Sequence, residues 1–98
     1  MPYAIAYDFA GGTQEQYEKT IEAVHGGPGI AHLPDGQIFH AAGPIEGGWR
    51  IFAVHDTKES WERFRDDILG PKLAAGVEGG FVVEPQETGF EVHRQETA

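Results

Sequence analysis

Five histidines, at positions 25, 32, 40, 55 and 93 of 98 residues, are the first side chains to test for chemistry, because imidazole changes charge near neutral pH and ligates metals. Their spacing gives neither the i, i+4 helical pair nor the close strand pair that metal ligation uses, so no metal site is expected. His40 is the sharpest candidate. It stands among Ile38, Phe39, Ala41 and Ala42, where an imidazole needs a partner or a ligand and where a neutral ring can serve as a general base. The plainer reading is a core histidine bonded to a backbone carbonyl or a tyrosine. Tyr3 and Tyr7 share one parity of an alternating run and can offer phenol groups to a pocket. Arg50, beside Trp49, can hold an anionic group or pair instead with Glu46 or with a second copy. His55 and Trp61 flank the start of a predicted helix, where His55 either lines a pocket mouth or is solvated. The candidate catalytic set is therefore His40 as base, with Tyr7 or Arg50 stabilising an oxyanion. Tyr3, Trp49, His55 and Trp61 are candidates for substrate contact.

Several chemistries are set aside by the rest of the chain. The glycine pairs at 11–12, 26–27, 47–48 and 79–80 lack the Lys-Ser/Thr ending of a phosphate loop. The single serine, Ser60, lies in a predicted helix and outside any Gly-x-Ser-x-Gly elbow. There is no cysteine, hence no thiolate nucleophile and no Cys-type zinc cluster, which fits a cytoplasmic protein. Sixteen Asp plus Glu against seven Lys plus Arg give a net charge of −9, which repels nucleic acid and anionic membranes. No apolar run approaches the about 20 residues of a membrane span, and Asp8 interrupts what would be a signal sequence. No cofactor signature is present.

The elements that must position these residues follow from periodicity. Tyr3, Ile5, Tyr7 and Phe9 alternate with Ala4, Ala6 and Asp8, which predicts a strand over 2–9 with Asp8 opposite the large aromatics. Thr13 and Gln16 form a capping box, and Tyr17, Ile21 and Val24 make one apolar face of a helix that ends at Gly26-Gly27. A Gly- and Pro-rich connection over 26–36 carries His32. Two β-prone runs, 37–43 and 49–55, flank Pro44–Gly48 as an antiparallel hairpin. Asp56–Glu59 offers a second cap, and Trp61, Phe64 and Ile68 predict a helical stripe that Gly70-Pro71 stops or kinks before a short turn over 72–75. The last strand is expected over 88–93, with 81–84 as a further candidate.

The single domain, 1–98, thus reads βαββαβ, an α+β chain of ferredoxin-like type with a four-stranded antiparallel sheet and two helices on one face. In the run 49–55, Trp49, Ile51 and Ala53 alternate with Phe52 and Val54, so both faces are apolar and one helical layer cannot cover them. A homodimer, sheet on sheet, is expected. The register of the hairpin decides which face His40 occupies.

The stretches His40–Arg50, Val54–Phe64 and Leu69-Gly-Pro71, with Asp8–Tyr17 at the start, resemble small bacterial proteins of the dimeric α/β-barrel superfamily, including uncharacterised members grouped with antibiotic biosynthesis monooxygenases. The resemblance implies a ferredoxin-like fold that dimerises into an α/β barrel. It further implies a small homodimeric enzyme of secondary metabolism, monooxygenase or cyclase in type, acting on an apolar aromatic or polyketide-like molecule without metal or organic cofactor. The Asn, Trp and Tyr group of the cofactor-free monooxygenases is not carried over, since the chain contains no Asn. The alternative is a non-catalytic dimeric module of the same fold that binds a small ligand or serves in stress.

Overall fold

The alternation at the N-terminus becomes β1 (Tyr3–Ala10), one of the two inner strands of a four-stranded antiparallel sheet. The computed structural model describes residues 1–25 and 33–96, without the side chain of His25. Its order is β1, α1 (Gln14–His25), β2 (Gln37–Ile45), β3 (Gly48–His55), α2 (Lys58–Phe64), a π-helical turn (Arg65–Leu69), α3 (Gly70–Ala75) and β4 (Gln86–Glu91). The strands lie in the order β2-β3-β1-β4, the arrangement that βαββαβ chains of ferredoxin-like type adopt. The capping box forms as expected: the Gln16 N–H donates to Thr13 Oγ1 (3.2 Å) and the Thr13 N–H to Gln16 Oε1 (3.1 Å). At the second helix the cap is Thr57, whose hydroxyl oxygen accepts the Ser60 N–H. Gly26-Gly27 and His32 lie outside the described residues.

Cross-strand partners sort the sheet into two faces. One carries Tyr3, Ile5, Tyr7 and Phe9 of β1 opposite His55, Ala53, Ile51 and Trp49 of β3, and this face holds the core. Ile5, Tyr7 and Phe9 pack there with Trp61 and Phe64 of α2. Phe81, beyond α3, stacks on Phe9 with ring centroids 3.7 Å apart. The other face has three rows: Phe39-Val54-Ala4-Phe90, Ala41-Phe52-Ala6-Thr88 and Gly43-Arg50-Asp8-Gln86. Phe39 and Phe90 remain 49% and 55% exposed at the ends of the first row, so this face is open.

Two local irregularities change what the periodicity predicts. A register shift between Gln37 and Phe39 makes Ile38 an extra residue in β2 and leaves it exposed. The second helix widens where Pro71 approaches. Pro71 has no N–H and its ring crowds the carbonyl four residues back. The Gly70 N–H donates to Arg65 O, five residues back, giving the π turn. The added residue rotates the apolar stripe, so Leu69 and Leu73 pack against the core while Ile68, the predicted stripe residue, is exposed. The 81–84 run is not a strand. β1 is already flanked by β3 and β4, and Val82 and Val83 lie exposed.

Candidate functional site

A chain of side-chain hydrogen bonds crosses the interface between the helices and the sheet. It starts on α1, where the Tyr17 hydroxyl is hydrogen-bonded to His40 Nε2 (2.7 Å). His40 Nδ1–H donates to Gln37 Oε1 (3.1 Å), and Gln37 Nε2–H donates to His55 Nε2 (3.2 Å). His55 Nδ1–H donates in turn to Ser60 Oγ (3.1 Å) at the first turn of α2. The three bonds from His40 to Ser60 run the same way, and the amide of Gln37 fixes them: its carbonyl demands a proton on His40 Nδ1 and its NH2 demands a lone pair on His55 Nε2. His55 is thereby neutral, with its proton on Nδ1, and His40 turns Nε2 toward the phenol oxygen of Tyr17.

His40 also lines a cavity of about 40 Å³ with Gln37, Tyr7, Ile51, Trp61 and Leu69 among its walls. That volume takes water-sized guests, because roughly 10–15 Å³ holds one water and a benzene-binding cavity is on the order of 150 Å³. Trp61 is 3% exposed and its indole N–H has no partner, an orphaned donor of the kind that a buried acceptor would satisfy. Among the described residues, no group of three or more His, Asp or Glu side chains could hold a metal ion.

The structure brings some of the predicted residues together and separates others. His40, Tyr7 and Trp61 share the cavity. His55 is neither solvated nor at a mouth: it is fully buried and joins His40 through Gln37. Burial holds its pKa below the usual histidine value, opposed by the nearby Asp56 charge. Trp49 sits 5.4 Å from Tyr17, ring to ring, outside the cavity lining. Tyr3 lies away from the cavity, over Gly89 of β4, where a Cβ would meet its ring, with the Lys58 ammonium 5.8 Å from the ring centroid.

Tyr7 and Arg50 do not complete an oxyanion site with His40. The Tyr7 hydroxyl donates to Glu87 Oε1 (3.0 Å) on β4. Burial first, and then the Glu87 charge, push its pKa well above that of a free phenol, so it stays protonated. Arg50 is on the open face, held in a two-point pair with Asp8 at 2.7 and 2.8 Å. Its hydrogen bond is the leading reason that the Asp8 carboxyl lies below its ordinary value.

Sequence reasoning missed Tyr17, Gln37 and Ser60. The spacing of Tyr17 places it in an apolar helical stripe, and burial raises the pKa of its phenol, with the Glu18 charge in support. Gln37 marks the start of β2, and only its burial reveals its role. Compared with models of known protein families, with curated proteins and with solved structures, the chain matches none.

Proposed function

We propose that this chain is a small enzyme that performs acid–base chemistry on an aromatic or polyketide-like molecule through the Tyr17–His40 pair. The observation that supports this most directly is that pair itself, a phenol 2.7 Å from an imidazole nitrogen of His40, whose side chain lines the cavity. In the proposed step, a substrate proton, from a phenol or from carbon next to a carbonyl, passes to the Tyr17 oxygen as the Tyr17 proton moves to His40 Nε2. Gln37 holds the imidazole by Nδ1, and its carbonyl oxygen supports the cation that forms. The substrate oxygen, as it gains charge, would take the orphaned N–H of Trp61. Oxygenation or ring closure after this step would be the monooxygenase-like or cyclase-like outcome that the sequence resemblance implies, drawing on no metal or organic cofactor.

An aromatic ring needs more room than 40 Å³, so its entry requires a wall to move; Val24 and Leu69, both partly buried, border the cavity. The small volume favours the second reading, a non-catalytic ligand-binding module. In both readings the working unit is a homodimer closed over the open sheet face, forming the α/β barrel, in a cytoplasmic setting with which the lack of cysteine is compatible.

Hydrogen–deuterium exchange at the carbon next to the carbonyl in a panel of aryl ketones, followed by NMR, separates the two. The enzyme reading expects catalysed exchange that falls roughly 10²–10⁴-fold in both His40→Ala and Tyr17→Phe. Ketone binding with no catalysed exchange selects the module, and exchange that survives both substitutions removes Tyr17–His40 as the centre.

A further inference from the structure

Tyr7 also borders a second, open concavity of about 630 Å³, between α3 and residues 77–85. It falls within the roughly 300–1,000 Å³ of small-molecule sites. Its walls are apolar, with Leu73, Val77, Phe81 and Val83 among them, and its polar groups are the Tyr7 hydroxyl, Glu84 and Glu87. Two carboxylates face this cleft, and no lysine, arginine or histidine lines it.

The cleft is preformed. Phe81 is pinned to the core by its stack on Phe9 and by its N–H, which donates to Thr20 Oγ1 (3.2 Å). The Gly80 N–H closes the preceding turn on Val77 O (2.9 Å). Glu87 is fixed as well, with Oε1 on the Tyr7 hydroxyl and Oε2 on Arg65 Nη1 (3.2 Å). A carboxylate has about four lone-pair positions, so two remain, and the side chain is still 32% exposed. Val82 and Val83 stand in water at the rim, 84% and 41% exposed, apolar surface that a ligand body would cover.

We propose that this cleft binds a hydrophobic amine, a protonated primary ammonium on an alkyl or arylalkyl body. The ammonium bonds to Glu87 and Glu84, and the body lies along Leu73, Val77 and Phe81. The net charge of −9 favours the cation at longer range and disfavours an anion of the same shape. This site stands apart from the acid–base reading, because Tyr7 is the one residue that the two linings share and neither His40 nor Gln37 borders this cleft.

The test is a titration of the full chain with hexylammonium and 2-phenylethylammonium, followed by amide NMR and calorimetry, with hexanol and hexanoate as neutral and anionic matches. The expected result is saturable shifts confined to residues 69–87, with the ammonium ions at least about tenfold tighter than hexanol, a preference worth about 1.4 kcal/mol, and hexanoate weaker still. Glu84→Gln, on an exposed residue, and Glu87→Gln should each remove most of that preference while hexanol binding persists. Hexanol or hexanoate binding as tightly as the amines would overturn the proposal. So would shifts located elsewhere, no saturable binding at millimolar amine, or full amine preference in Glu84→Gln/Glu87→Gln.

Discussion

Gln37→Leu tests whether the hydrogen-bonded chain is a working unit or a packing coincidence. The substitution keeps roughly the side-chain volume and removes the one group that serves both imidazoles, through Oε1 to His40 and Nε2 to His55. His55 is fully buried, so its Nε2 loses its donor in a place where water cannot replace it. A buried polar group left unsatisfied costs about 1–3 kcal/mol. For a domain of this length each kcal/mol moves the midpoint by about 4–8 °C, so thermal unfolding should fall by roughly 5–20 °C. The control is the double variant Gln37→Leu/His55→Phe, in which both partners become apolar. It should be less destabilised than the sum of the singles by about 0.5–3 kcal/mol, the range for residues in direct contact. Nitrogen-15 shifts of His55 supply an independent readout, since the wild type should show its proton on Nδ1, toward Ser60. If Gln37→Leu unfolds at the wild-type temperature, or if the two singles simply add, the amide is not bridging the histidines and the proposed acid–base unit loses its support.

Two further outcomes follow from burial and exposure. Burial lowers the His55 pKa in the folded state, whereas the unfolded chain titrates near the ordinary value of about 6.5. Below that pH the unfolded state therefore holds more protons, and the stability that neutral His55 contributes is present above about pH 6.5 and lost as pH falls toward the depressed folded value. Urea unfolding between roughly pH 8 and 5 should show up to about 1.4 kcal/mol of loss per pH unit from this one proton, a slope that His55→Gln removes; an unchanged slope in the variant assigns the effect elsewhere. At the open face, Phe52 sits at the centre of the middle row between Ala41 and Ala6. Sedimentation should find the wild type dimeric at micromolar concentration and Phe52→Glu monomeric with its far-UV spectrum intact, and a wild-type monomer would reject the sheet-on-sheet assembly.

Short-range chemistry was legible in the sequence wherever one residue's neighbours decided its state. The alternation from Tyr3 to Phe9 placed Asp8 opposite the aromatics, and Asp8 does face Arg50 across the open side. Thr13 and Gln16 cap α1 as their spacing demands. What failed depended on partners far along the chain. The last strand, expected over 88–93, forms against β1 two residues earlier, as Gln86–Glu91, with Gly89 leaving space that the Tyr3 ring takes, while the further candidate 81–84 forms no strand. A period of 3.6 places Ile68 in the core, and the π turn before Pro71 breaks that period. His55 reads locally as a strand end, and only the approach of Gln37 and Ser60 shows that it is enclosed.

The site depends on the irregularity in β2 more than on any single reactive residue. Gln37 and His40 are three apart, and in a regular strand residues three apart point to opposite faces. The amide of Gln37 would then lie under the helices and His40 on the open side, or the reverse, and the bond between them would not exist. The extra residue at Ile38 restores both to the helix-covered face: Gln37 pairs with His55 and His40 with Ala53, the parity that β3 turns toward Trp61. The same shift carries Phe39 to the open face beside Val54. One inserted residue thus places His40 under α1, joins it to a second histidine, and adds an aromatic to the surface on which the proposed second copy would close. A bulge at the edge of a sheet re-aims side chains at the cost of one ladder position, and here it is what permits a polar relay on a face otherwise built from Ile5, Tyr7 and Phe9.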